Sequence, residues 1–68
     1  MQYMAILDKS LIPIMGENAY YSLLSKMTLQ EGKDAGMKQN KALKKVNKIL
    51  IAEGRSPYTE SWAKKYWQ

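Results

Sequence analysis

The sequence predicts an all-α fold, a single helical domain over residues 1–68 built from three to four helices, with a short extended segment allowed at its N-terminus. Three observations predict it. From Lys38 to Glu53 no Pro or Gly interrupts the chain, and Ala42, Leu43, Val46, Ile49 and Leu50 recur at helical spacing. Good helix starters (Asn18, Thr28 and Thr59) alternate with glycine stops at Gly36 and Gly54. The chain has 68 residues with no Cys and no His, so apolar packing rather than a disulfide or a zinc site must hold it.

Taken in order, Met1–Leu7 reads as a short strand or a first helical turn and as part of the core. The stretch is apolar, but Asp8-Lys9 interrupts it and no basic region precedes it, unlike a secretory leader. Pro13 and Gly16 punctuate the next segment, and Leu11, Ile12, Ile14 and Met15 are expected to pack as extended chain. Asn18 should cap a first helix whose inner face is Tyr20, Leu23, Leu24 and Met27. Thr28-Leu29-Gln30-Glu31 has the form of a capping box and predicts a second, short helix ending near Gly36. The third helix, 38–53, is the longest apolar-periodic run. Arg55-Ser56-Pro57-Tyr58 makes a turn, and Thr59 caps a last helix that turns Trp62, Ala63 and Tyr66 inward.

Composition excludes more chemistry than it suggests. Without His or Cys no Ser–His or Cys–His pair exists, and the six carboxylates (Asp8, Glu17, Glu31, Asp34, Glu53 and Glu60) are scattered along the chain. A non-enzymatic role with no cofactor and no metal is expected. No run approaches the ~18–20 apolar residues of a membrane span. A cysteine-free chain fits a reducing, cytoplasmic setting.

Charge is the stronger signal. The formal net charge is +5, and it is not evenly spread. Residues 1–36 set Lys9, Lys26 and Lys33 against four acids, a net −1. Residues 37–68 set seven lysines and Arg55 against Glu53 and Glu60, a net +6. A field concentrated in one half of a small domain points to a polyanion partner. Lys41, Lys44, Lys45 and Lys48 share one helix face, where like charges repel by a few tenths of a kcal/mol per pair. An anion along that face would relieve the repulsion.

A short helix, a glycine turn and a longer basic helix form the outline of a helix-turn-helix-like unit. Gly32 lies four positions before the turn glycine Gly36, apolar Met37 follows it, and Ala35 and Ala42 occupy small-residue positions around the turn. On these residues the segment 28–48 resembles the helix-turn-helix of small DNA-binding regulators of phages and mobile elements, with Glu31 and Lys45 standing where that family usually has apolar residues. The resemblance implies that helix 38–53 reads double-stranded DNA. It places Lys38, Gln39, Asn40 and Lys41 at base edges, where amides pair with adenine and Lys donates to guanine. It places Lys44, Lys45, Lys48 and Arg55 on phosphates, which give affinity without reading sequence. For Gln39 and Asn40 the plain alternative is helix capping or solvation. A homodimer is compatible with this reading, because half-sites usually come in pairs.

Trp62, Tyr66 and Trp67 flank Lys64 and Lys65 and are able to stack on single-stranded bases. In a chain without Phe they are expected to serve mainly as core, with penultimate Trp67 the exception that would mark an interface. Two other readings stay open: a small adaptor or inhibitor that sets the basic helix on an acidic protein partner, and, less well supported, a peripheral membrane binder.

Overall fold

The structure, a computed structural model, describes residues 8–67. The expectations for Met1–Leu7 lie outside the described residues. All regular structure among the described residues is helical: a 3₁₀ turn at Lys9–Leu11, then α1 (Ile12–Met15), α2 (Glu17–Asp34), α3 (Gln39–Ala52) and α4 (Glu60–Tyr66).

The first segment is helical rather than extended, against expectation. Asp8 Oδ1 accepts from the Ser10 amide at 3.0 Å and starts the 3₁₀ turn, which runs straight into α1. Pro13 does not prevent this. It sits in the first turn of α1, where a backbone donor is not needed and its fixed φ suits a helix. Gly16, at φ +90°, then bends the chain into α2.

The two helices expected on either side of Thr28 are one helix of 18 residues. Thr28 is buried and turns its hydroxyl inward, where Oγ1 donates to the Leu24 carbonyl at 2.9 Å. Ser25 Oγ does the same to the Tyr21 carbonyl at 2.7 Å. A hydroxyl bonded to its own helix four residues back is satisfied without ending it. These two residues also redraw the inner face. It runs through Tyr20, Tyr21, Leu24, Ser25, Thr28, Leu29 and Gly32, and Leu23, expected inside, is 41% exposed.

Both predicted glycine stops hold for the same physical reason. At Gly36 (φ +86°) the Met37 amide donates to the Gly32 carbonyl and the Gly36 amide to Lys33. At Gly54 (φ +76°) Arg55 and Gly54 bond Leu50 and Ile51 in the same pattern. This paired closure of a helix end needs a left-handed residue, which glycine adopts without steric cost. Between these stops α3 buries Ala42, Leu43, Val46 and Leu50 and half-buries Ile49, as the periodicity requires.

The helices α2 and α3 pair as an antiparallel hairpin. Gly32 meets Ala42 beside the turn, and at the far end the Tyr21 hydroxyl donates to Glu53 Oε1 at 3.1 Å. Each helix advances about 16 Å between those contacts, so a right-angle crossing would part the far ends by about 23 Å, out of reach of a tyrosine–carboxylate bond. A right-angle crossing is thus excluded, and the expected order of helix, glycine turn and basic helix is kept, with the first helix the longer of the two. Next, the Asn47 side chain donates to the Tyr58 carbonyl at 3.0 Å and accepts from the Tyr58 amide at 2.8 Å, pinning the loop after α3. Thr59 Oγ1 accepts from the Trp62 amide and starts α4, which seats Ala63 fully buried against the hairpin.

Candidate functional site

The basic face of α3 is set by the burial of its opposite side. With Val46 and Leu50 turned to the core, Lys41, Lys44, Lys45 and Lys48 fall within about 100° of arc on the outer side, and all are exposed. Lys41 to Lys48 spans about 10 Å of helix axis. Lys38 precedes them at the N-cap, also exposed. Among the described residues the ion pairs are Lys9–Glu53 at 2.8 Å and Arg55–Glu17 at 3.7 Å, so none of these five lysines is neutralised by a carboxylate. Ile51, 60% exposed, borders the row beside Lys44 and Lys48.

The start of α3 is bare. Lys38 is extended (φ −75°, ψ 158°) and its side chain makes no capping bond. The first backbone bond of the helix is the Ala42 amide to the Lys38 carbonyl, at 3.0 Å. The amides of Gln39, Asn40 and Lys41 are therefore the unpaired donors of a helix beginning, next to two ammonium groups. Among the described residues the side chains of Gln39, half-buried, and Asn40, exposed, have no hydrogen-bond partner. Neither caps the helix.

Arg55 is elsewhere. Its guanidinium lies over the Tyr21 ring at 4.5 Å, donates through Nη2 to Asn18 Oδ1 at 3.2 Å, and pairs with Glu17. Expected on phosphates, the Arg55 guanidinium is engaged by partners within the fold. The side chain is drawn to the N-terminal end of α2 by a ring face, an amide and a carboxylate, all stronger local partners than open solvent. The expectation for Asn18 is corrected: Gly16 holds the N-cap position of α2, and the Asn18 amide oxygen is used on Arg55.

The same end of the hairpin consumes the acid of α3. Glu53 receives Lys9 Nζ and the Tyr21 hydroxyl, and these two bonds hold its carboxyl below the usual carboxylate range. Lys9 is raised by its bond to Glu53, and Tyr21 is raised first by burial and then by Glu53. Charge is thus paired at one end of α3 and left open along its length.

Sequence reasoning missed Asn47, which ties α3 to Tyr58, and missed how the aromatic residues associate. Tyr58 and Trp62 stack with centroids 4.1 Å apart and planes 9° from parallel, and Trp62 meets Tyr66 at 5.5 Å. Their spacing of four residues was the available signal. Trp62, Tyr66 and Trp67 are all half-buried, so Trp67 is no more exposed in kind than its neighbours. Among the described residues no group of His, Cys, Asp or Glu is arranged to hold a metal ion, and no helix is long and apolar enough to cross a membrane. No protein family matches the chain, and no characterised protein or solved structure shows detectable similarity to it.

Proposed function

We propose that this chain is a non-enzymatic DNA-binding regulatory protein, of the phage or mobile-element type that residues 28–48 resemble, and that it lays α3 on double-stranded DNA. One observation carries the reading: five exposed lysines line the outer face and start of α3 without a carboxylate partner among the described residues. Lys44, Lys45 and Lys48 contact phosphates in this reading. Lys38, Gln39, Asn40 and Lys41 stand at the bare helix start, where free amides and ammonium groups favour an anion and two unpaired side-chain amides are left to read bases.

The test is the salt dependence of duplex binding. Log affinity should fall linearly with log salt, and Lys44→Ala should make the slope shallower by about 0.9, the loss of one phosphate contact. An unchanged slope, or no duplex binding at physiological salt, defeats the proposal.

Ile51, 60% exposed beside Lys44 and Lys48, favours one alternative, a small adaptor or inhibitor that sets its basic face on an acidic protein. A partner captured equally well after nuclease treatment would support the adaptor.

A further inference from the structure

A second surface lies on α4 and is built differently from the lysine row of α3. Tyr58, Trp62 and Tyr66 form a ladder of rings, beginning where Asn47 pins Tyr58 to α3 and ending against α2. There Lys26 Nζ stands 4.5 Å from the Tyr66 centroid and Lys65 Nζ 5.5 Å from the same centroid, while Lys33 Nζ lies 5.7 Å from the Trp67 ring. Lys26, Lys64 and Lys65 are exposed, and among the described residues no carboxylate pairs with any of these four lysines. Ala63, fully buried, seats the helix, and every ring of the ladder, though packed against the core, stays partly exposed. The Tyr66 ring thus holds two ammonium groups near it by cation–π attraction.

We infer that this ladder is a binding surface for single-stranded nucleic acid, with bases stacking on the partly exposed rings and the backbone held by Lys26, Lys33, Lys64 and Lys65. Single strands are bound by this combination of aromatic platforms and a cationic track, and the stacking tolerates any base because every base has a π-face. The α3 row has lysines but no aromatic ring of its own, so it offers a duplex phosphates and a single strand no platform. The inference does not depend on α3 binding DNA.

Both tryptophans of the chain lie in this surface, so their fluorescence reports on it directly. A twelve-residue oligothymidylate titrated into the full chain should quench them saturably at low salt. Trp67→Ala should weaken binding roughly five- to hundredfold, the range of one lost base–aromatic stack. Trp67→Tyr, which keeps a ring, should retain most of the affinity and guards against a mere folding defect. Replacing Lys64 and Lys65 with Gln should make the salt dependence shallower by about 0.7 per lost phosphate. The double variant Lys44→Ala, Lys48→Ala, which lowers the charge equally, should weaken oligothymidylate binding less than replacing Lys64 and Lys65 does. The inference is overturned by any of three results: no quenching, displacement of the oligonucleotide by inorganic polyphosphate at equal charge concentration, or a loss in the α3 double variant as large as that in the Lys64, Lys65 variant.

Discussion

A methyl group placed on Gly32 would sit 2.8 Å from the Cβ of Ala42, closer than packed carbon atoms approach. The Ala42 backbone Cα is 3.4 Å from the same point, so the neighbour cannot swing aside. The two helices of the hairpin meet through a missing side chain.

Gly32→Ala is therefore expected to destabilise the fold although it replaces glycine by the best helix former. Overpacking of about 1–3 kcal/mol opposes a propensity gain of about 1 kcal/mol. Ala42→Gly in the same chain should recover part of the loss, and a double-mutant cycle by denaturant titration measures that coupling. A stability gain from Gly32→Ala alone would mean that the helices do not touch there.

Leu50 and Ile51 are neighbours with opposite fates, at 2% and 60% exposure. Leu50→Ala should cost about 2–5 kcal/mol through lost burial and the cavity left behind. Ile51→Ala should stay within about 0.5 kcal/mol. Equal costs would show the face of α3 to be misassigned.

The Lys9–Glu53–Tyr21 cluster predicts how stability varies with pH. Glu53 is lowered from 4.5, so its contribution is present above that value and is lost as pH falls through the lower folded value. Lys9 is raised from 10.5 and Tyr21 from 10.0, so their contributions are present below those values and are lost as pH climbs past them. Denaturant midpoints recorded against pH should show the acid limb flattened in Glu53→Gln. An acid limb identical to that of the parent would remove Glu53 from the cluster.

Gln39 and Asn40 separate base reading from charge attraction. Each is uncharged and without a hydrogen-bond partner among the described residues, so Gln39→Ala and Asn40→Ala should leave far-UV circular dichroism and random-duplex affinity nearly intact. On duplexes selected from a randomised pool, each should relax one or more positions by about 1–3 kcal/mol. Retention of every preference by both variants would assign specificity to other residues.

Much of this molecule is determined by local sequence. The apolar period from Ala42 to Leu50 and the stops at Gly36 and Gly54 determine α3, because helix periodicity and left-handed closure depend on residues a few positions apart. The exposed lysine face follows from the same period: once Val46 and Leu50 turn inward, Lys41, Lys44, Lys45 and Lys48 must turn out. Tertiary structure decided the rest. Thr28 starts a helix by its local pattern, yet the folded core buries it, and its hydroxyl then serves the helix that runs through it by bonding the Leu24 carbonyl. Arg55 lies far in sequence from Glu17, Asn18 and Tyr21, and only the antiparallel pairing of α2 with α3 brings them together. The pairing of Asn47 with Tyr58 and the placing of Lys26 over Tyr66 likewise join residues that no local pattern relates. Local rules determine which residues face in or out of a helix, and long-range packing decides which partners they meet there.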